Sequence, residues 1–231
     1  MTEADAKGRL LAEGVIIVVS ILLAFTIDRA YESYRENREE ATLLGGLAGD
    51  FQNNRDDLHR YLSRRQTEFA QTVATLEALS AEEGKISPDS LDHLLSTLYT
   101  GGTFEPRMAT LDQVQSSGRA SVIRDTELRT LIAEWRLATA DAIDTQDRWL
   151  RMLENQIYPM LVGLGISDPA LSLTLPPSSH GRLTIDPAMA ARLDAQLRQY
   201  ARMVDALRND LSVAAAASDA VLMELVIAPD P

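Results

Sequence analysis

The feature that most constrains this chain is an apolar stretch close to its N-terminus. Residues Leu10 to Ile27 read LLAEGVIIVVSILLAFTI and contain a single charge, Glu13. A helix of this length, rising about 1.5 Å per residue, extends for roughly 27 Å, close to the thickness of a thin hydrocarbon core. The sequence therefore predicts a transmembrane helix over residues 10–30, preceded by a short tail over residues 1–9.

Two other interpretations of the stretch are weaker. A cleaved signal peptide lacks support, because FTIDRAYESY stands where a small-x-small cleavage pattern would be needed. A soluble core helix needs a polar face, and the stretch offers little beyond Ser20 and Thr26. The predicted anchor residues are Leu10, Leu11, Val15, Ile16, Ile17, Val18, Val19, Ile21, Leu22, Leu23, Phe25 and Ile27.

The residues that follow the stretch are typical of a membrane boundary. Tyr31 and Tyr34 stand where interfacial aromatic side chains are expected. Basic residues are nearly balanced on the two sides of the stretch, so their count barely discriminates the orientation. We expect a single-pass protein of a bacterial inner membrane. Beyond the membrane helix, acidic and basic residues are mixed over residues 35–40, which predicts an exposed helix face.

Composition favours helices and excludes some partners. The 34 acidic residues outnumber the 22 basic ones, for a formal charge of −12, which argues against nucleic acid as a partner. Cysteine is absent, so disulfides and thiolate metal sites are excluded. With 5% aromatic residues and few glycines and prolines, the fold class is predicted to be all-α.

Helical spacing of apolar residues predicts an elongated antiparallel bundle after the membrane helix. The first helix continues to about Ala81, and the bundle extends over residues 31–162. It contains short helices over 88–99 and 108–117 and a long helix capped by Asp125 or Thr126. A Pro/Gly/Ser-rich loop covers residues 163–185, and a long C-terminal helix over residues 186–231 packs on the bundle.

Small residues mark two special positions. Ala41, Gly45 and Gly49 fall at i, i+4 and i+8, so they form a stripe against which a second helix, from this chain or a partner, could pack closely. The alternative is a flexible joint at Gly45-Gly46. Gly118 is predicted to adopt the left-handed conformation that follows a helix.

No catalytic or metal-binding pattern is recognisable. The three histidines, His59, His93 and His180, are far apart, and only His59 has a carboxylate three residues before it, Asp56. A di-iron bundle would need a second such pair and further inward carboxylates, so a solvated helix face is the better interpretation. Phosphate-binding glycine motifs are absent. We therefore expect no enzyme activity, no cofactor and no metal.

Several motifs together resemble an uncharacterised bacterial family of single-pass membrane proteins, known only as a domain of unknown function. The motifs are Glu13-Gly14, Thr103-Phe104-Glu105-Pro106, Gln115-Ser116-Ser117-Gly118, Ile123-Arg124-Asp125 and Leu128-Arg129. The resemblance covers roughly residues 10–160. An Asn-Asn-Trp motif usually follows the span in that family, whereas this chain has Asp28-Arg29-Ala30. The resemblance implies a cytoplasmic N-terminal tail and a periplasmic bundle, and it supplies no catalytic residues.

Two functions are compatible with these predictions. The first is a non-catalytic, membrane-anchored helical subunit that docks on, braces or helps assemble a larger membrane protein complex, such as an energy-transducing, respiratory or photosynthetic assembly. Its partners would be the lipid bilayer and other membrane subunits, or a second copy of itself. The alternative is an extracytoplasmic sensor-like bundle that binds a small ligand between its helices and signals through a partner.

Overall fold

The computed structural model describes residues 3–81, 85–86, 102–116, 118, 122–163, 183–184 and 187–227. The structure is helical, as the sequence predicts, and the helices are α1 (Glu3–Ala81), α2 (Ala109–Ser116), α3 (Thr126–Met152), α4 (Tyr158–Gly163) and α5 (Pro187–Ile227). A π-helical turn, Leu153–Ile157, joins α3 to α4. Two short strands, β1 (Lys85–Ile86) and β2 (Leu183–Thr184), pair antiparallel.

Three long helices form the bundle. Helix α5 packs against both α1 and α3. Ser218 of α5 lies beside Phe51 of α1, and Tyr200 lies beside Glu68, so α5 is antiparallel to α1. Helix α3 is parallel to α1, since Trp135 stacks on Phe51 and Trp149 lies under Arg65.

The apolar core consists of two clusters along the bundle axis. The proximal cluster is the one nearer the apolar stretch of α1, and it comprises Leu47, Phe51, Leu111, Ile123, Leu128, Ile132, Trp135 and Val221. The distal cluster consists mainly of buried residues of α3, α4 and α5 that pack around Leu58 and Leu76 of α1. Burial of these side chains, each worth about 1.5–3 kcal/mol, is the main stabilising contribution to the bundle.

The segment before α3 descends along α1 and explains why α3 is parallel to it. The amide N–H of Arg107 donates to Asn54 Oδ1 at 2.7 Å, and Asn54 Nδ2 donates back to the Arg107 carbonyl at 2.9 Å. The N–H of Thr110 donates to Asp50 Oδ2 at 2.9 Å. These side chains supply hydrogen-bond partners to backbone groups that have none in a helix or strand. They hold this segment against α1 as it runs back to the proximal end of the bundle.

Local sequence signals explain both ends of α3. Asp125 is its N-cap, with the side chain accepting hydrogen bonds from the N–H groups of Glu127 and Leu128. At the other end, Pro159 cannot donate to the carbonyl four residues earlier, and its ring would clash there. The π-helical turn ends two residues before Pro159, with the Tyr158 N–H bonded to Leu153 O, and it widens the helix where the clash would arise.

Several sequence predictions can be compared with these elements. Helix α1 ends at Ala81, α2 occupies the site of the predicted helix over residues 108–117, and α5 begins at Pro187. The β1–β2 pairing was not predicted. The predicted helix over residues 88–99 and most of the loop over residues 163–185 lie outside the described residues.

Within the described part of the chain, no helix combines the length and the apolar character that a membrane span requires. The all-α bundle of the sequence analysis is confirmed, whereas its transmembrane helix stays a prediction.

Candidate interaction surfaces

The N-terminal part of α1 projects from the bundle with its apolar side chains exposed. Nine large apolar side chains from Ile16 to Ile27 are 50–67% exposed, and residues 16–36 are all exposed. Successive helical residues are turned by about 100°, so the four consecutive residues Ile16 to Val19 already cover the whole circumference. We call residues 16–27 the apolar segment. The side chains of the predicted anchors Leu10, Leu11 and Val15 lie outside the described residues.

The hydroxyl groups of the apolar segment are bonded within the helix. Ser20 Oγ donates to the carbonyl of Ile16 at 2.8 Å, and Thr26 Oγ1 donates to the carbonyl of Leu22 at 2.7 Å. Each hydroxyl donor is thereby satisfied without water or a polar partner. The segment therefore presents an almost wholly apolar surface in every direction.

The two tyrosines that follow are also exposed. Tyr31 is 69% and Tyr34 is 64% exposed, with their rings on the section of α1 between the apolar segment and the bundle. A tyrosine ring has an apolar body and a polar hydroxyl, so it suits a boundary between an apolar and an aqueous phase.

A cluster of polar contacts, which we call the basal clasp, marks the start of the bundle. Arg124 donates through Nη1 to Asn37 Oδ1 at 2.6 Å and through Nη2 to Glu36 Oε2 at 3.0 Å. Its backbone N–H donates to Glu40 Oε1 at 2.9 Å, and its Nη1 lies 3.4 Å from Glu40 Oε2. Glu40 is buried, whereas the sequence predicts an exposed helix face for this charged run. The sequence gives no signal for a contact between residues so far apart in the chain.

The predicted small-residue stripe lies on the outside of the bundle. Ala41, Gly45 and Gly49 are exposed, and a Cβ added at Gly45 or Gly49 would meet nothing within 4 Å. The close approach within this chain occurs at Gly46 instead, where an added Cβ would lie 3.2 Å from the Thr110 side chain. Helix α1 continues without a break through Gly45-Gly46, and the flexible joint stays a prediction. The stripe is thus open to a helix from outside the described chain.

A groove, which we call the proximal groove, lies between α1 and α2 beside Gly46. It has a volume of about 470 Å³ and is lined by polar and charged side chains, with Leu43 and Val114 supplying apolar surface. The charged and hydroxyl-bearing residues are Arg35, Arg38, Glu39, Thr42 and Thr110. Sequence reasoning did not identify this groove, because it depends on how α2 packs against α1.

A buried polar network joins the three long helices at the distal cluster. Arg65 Nη1 donates to Glu68 Oε2, and the Tyr200 hydroxyl donates to Glu68 Oε1. Trp149 Nε1 donates to the Tyr200 hydroxyl at 3.3 Å, while the Arg65 guanidinium lies 4.2 Å from the Trp149 ring centroid and donates to Gly102 O at 3.2 Å. All four side chains are at most 3% exposed.

Burial dominates the electrostatics of this network. Desolvation raises the pKa of Glu68 above its ordinary value of 4.5, although the charge of Arg65 and the hydrogen bonds from Tyr200 and Trp149 oppose the rise. Desolvation and the neighbouring Glu68 carboxylate raise the pKa of Tyr200 well above its usual value of 10. The arrangement fixes the register of α1, α3 and α5, because each partner buried alone would be costly.

Three buried side-chain polar atoms have no hydrogen-bond partner among the described residues: Trp135 Nε1, Thr139 Oγ1 and Gln196 Oε1. Trp135 Nε1 and Thr139 Oγ1 lie one helical turn apart on the inner face of α3. The pair Asp56 and His59 is exposed, in line with the solvated face predicted for it, whereas His93 and His180 lie outside the described residues. No cluster of metal-binding side chains occurs in the part of the chain that is described.

Gly118 lies just after the end of α2. Its φ is +67°, and its N–H donates to Gln115 O at 3.1 Å. This is the left-handed conformation that sequence analysis predicts here, and it favours glycine.

Comparison of the chain with known protein families, curated proteins and solved structures finds no match.

Proposed function

We propose that this protein is a non-catalytic, membrane-anchored helical subunit that docks on, braces or helps assemble a larger membrane protein complex. The single observation that carries the proposal is the apolar segment, which projects from the bundle with large apolar side chains on every side of the helix. Full burial of one such side chain is worth about 1.5–3 kcal/mol, so leaving the segment in water is strongly unfavourable.

Lipid suits the apolar segment better than a single protein partner does. A partner helix covers one face of α1, whereas a bilayer surrounds the whole circumference. The internal hydrogen bonds of Ser20 and Thr26 lower the cost of placing their hydroxyls in hydrocarbon. Together with the residues from Leu10 onward, the stretch to Ile27 would extend for roughly 27 Å, close to a hydrocarbon thickness of about 30 Å.

The bundle would then stand close to the bilayer. Helix α1 runs without interruption from the apolar segment into the bundle. The basal clasp begins at Glu36, nine residues after Ile27, which corresponds to about 14 Å along the helix axis. Tyr31 and Tyr34 would occupy the headgroup layer between them, and the resemblance described above would place the bundle in the periplasm of a bacterial inner membrane.

The stripe of Ala41, Gly45 and Gly49 is the face on which we expect a partner helix. Glycine in a helix costs about 1 kcal/mol relative to alanine, and neither Gly45 nor Gly49 is needed for packing against any described residue. Close approach of a helix from another membrane subunit, or from a second copy, would offset that cost. The bundle would thus be held at a fixed height and rotation relative to its partner.

Membrane anchoring can be tested by alkaline carbonate extraction of membranes from cells that express the full chain. We expect the protein to remain in the membrane pellet and the double variant Ile17→Lys/Leu22→Lys to be extracted. The control Leu137→Lys alters an apolar side chain that is 66% exposed on the bundle and should stay in the pellet. Extraction of the unaltered chain would contradict the proposal.

Docking can be tested by affinity purification of the full chain in mild detergent. We expect a defined set of membrane proteins to co-purify with the chain, or the chain to purify as a dimer. The double variant Gly45→Trp/Gly49→Trp should abolish this association. The matched control is Ala133→Trp/Ala140→Trp, two exposed positions on α3. A monomer that purifies alone would contradict docking while leaving the anchor intact.

The second candidate is the sensor-like bundle. It is favoured by one observation, the unpartnered Trp135 Nε1 and Thr139 Oγ1 inside the proximal half of the bundle. A small polar ligand could satisfy both atoms, and its binding would change the fluorescence of Trp135. A screen of small polar metabolites that leaves the tryptophan fluorescence and the thermal stability of the full chain unchanged would contradict this candidate.

A further inference from the structure

We propose that the proximal groove binds the headgroup of an anionic phospholipid from the bilayer in which α1 is anchored. This inference rests on the proposed membrane anchor and adds a specific lipid contact to it. The groove is about 470 Å³ in volume, within the size range of small-ligand sites, and it opens between α1 and α2 at the proximal end of the bundle.

The groove presents two guanidinium groups. Arg35 is 63% exposed and lies 3.7 Å from Glu39 Oε1, which is a weak, solvent-exposed ion pair. Arg38 is exposed, three residues further along the same helix, and forms no ion pair with another described residue. A phosphate diester matches the fork of N–H donors on a guanidinium, so two adjacent arginines favour a phosphate between them.

The remaining acidic residues of this region are held elsewhere. Glu36 and Glu40 contact Arg124 in the basal clasp, which leaves Glu39 as the acidic side chain that lines the groove. The groove is therefore locally basic, although the chain as a whole has a formal charge of −12. Leu43 and Val114 provide apolar surface beside the guanidinium groups, and the hydroxyl-bearing Thr110 lines the wall formed by α2.

The position of the two arginines matches the headgroup layer. Arg35 and Arg38 follow the end of the predicted membrane helix, residue 30, by five and eight residues, or about 8 and 12 Å. Side chains on a helix lean toward its N-terminus, which here is the membrane side. Release of the weak Arg35–Glu39 ion pair would let both guanidinium groups reach back toward the lipid phosphates.

The test is native mass spectrometry of the full chain in a neutral detergent, titrated with phosphatidylglycerol or phosphatidylcholine. We expect one phosphatidylglycerol per chain to bind at least tenfold more tightly than phosphatidylcholine. Arg35→Gln/Arg38→Gln should reduce that preference about tenfold or more, since each basic group near anionic lipid contributes about 1 kcal/mol, or roughly fivefold.

Two controls separate the groove from general electrostatics. Arg148→Gln/Arg198→Gln removes the same charge from exposed positions on α3 and α5 and should alter lipid affinity less than twofold. Arg29→Gln removes one charge nearer the bilayer, about half a turn from Arg38 on the helix circumference, and it should reduce the preference by no more than the roughly fivefold of a single basic group, which is less than the loss in the groove variant.

Three results would overturn the inference. They are equal binding of the two lipids, equal losses in the groove variant and the controls, and binding of inorganic phosphate as tight as that of the lipid. Failure of the anchor is detected separately, because the groove variant should still remain in the membrane pellet after carbonate extraction. Loss of the unaltered chain from that pellet would refute the proposed function instead.

Discussion

Two stretches of the same helix behave in opposite ways. Residues 16–36 of α1 are exposed throughout, although Ile16 to Ile27 include the most apolar part of the described helix. Residues 37–77 contain more charged side chains, yet they include fully buried positions such as Leu47, Phe51 and Leu58. Helical structure is shared by both stretches, so the difference lies in what surrounds each one. The bundle buries its own apolar side chains, whereas the described chain leaves those of the apolar segment exposed, and we propose that lipid covers them.

The largest expected difference in the free energy of unfolding is between alanine variants at Phe51 and at Phe25. Phe51→Ala removes a fully buried ring that stacks edge-to-face on Trp135 at 4.6 Å, and we expect it to lower the free energy of unfolding of the bundle by about 3–5 kcal/mol. Phe25→Ala alters a ring that is 67% exposed and should change the free energy of unfolding by less than about 0.5 kcal/mol. Urea unfolding of the full chain in detergent, followed by tryptophan fluorescence, measures both. Equal effects would remove the distinction between the two stretches.

A similarly large effect is expected at the buried charge of α1. Arg65→Ala leaves the Glu68 carboxylate buried without its cation, which costs about 3–5 kcal/mol. The adjacent Arg64 is exposed and lies over the Tyr61 ring at 5.7 Å, so Arg64→Ala should cost less than about 1 kcal/mol. The same unfolding assay separates the two variants, and a small effect at Arg65 would show that the network contributes little.

Glu68 should also make the stability of the bundle depend on pH. Its pKa is raised in the folded protein, so the folded state binds the proton more tightly than the unfolded state does. Stability is then greatest below pH 4.5 as far as this group is concerned, and it falls as pH rises through the raised pKa, by at most about 1.4 kcal/mol per pH unit.

The test of this dependence is Glu68→Gln, which should remove that part of the slope of unfolding free energy against pH. Glu77→Gln alters an exposed carboxyl on the same helix and serves as the control. An unchanged slope in Glu68→Gln would contradict the assignment.

Much of this fold can be predicted from the sequence, because local signals determine most of its helices. The Asp125 cap, the proline at the start of α5 and the heptad spacing of Leu193, Leu197 and Tyr200 each depend on neighbouring residues alone. Apolar spacing does not distinguish which helices become parallel neighbours. The parallel pairing of α1 and α3 follows from the descending segment before α3, whose contacts join Asn54 to Arg107 across a wide gap in sequence.

The surfaces were less predictable for the same reason. The small-residue stripe predicts close approach at Gly45 and Gly49, which face outward among the described residues, whereas Gly46, outside the stripe, approaches the Thr110 side chain. The basal clasp and the proximal groove require the position of Arg124 or Thr110 beside α1. Neither position can be read from the periodicity of a single helix.

The smallest expected effects on stability concern two neighbouring glycines of α1, Gly45 and Gly46. Gly45→Ala should raise the free energy of unfolding by about 0.5–1 kcal/mol, because it reduces the backbone entropy of the unfolded chain and meets nothing in the folded one. Gly46→Ala should gain less or lose stability, since its methyl group would approach the Thr110 side chain to 3.2 Å. Thermal unfolding of the two variants measures the difference, and a larger gain at Gly46 would contradict the packing described here.

The central claim, that the apolar segment lies in lipid while the bundle lies in water, can be measured directly with spin labels. The chain has no cysteine, so Leu22→Cys and Leu137→Cys each provide a single labelling site on an exposed apolar position. In lipid vesicles we predict that the label at residue 22 collides with oxygen and is protected from a water-soluble nickel chelate, with the reverse at residue 137. Equal exposure of both labels to the nickel chelate would contradict the account.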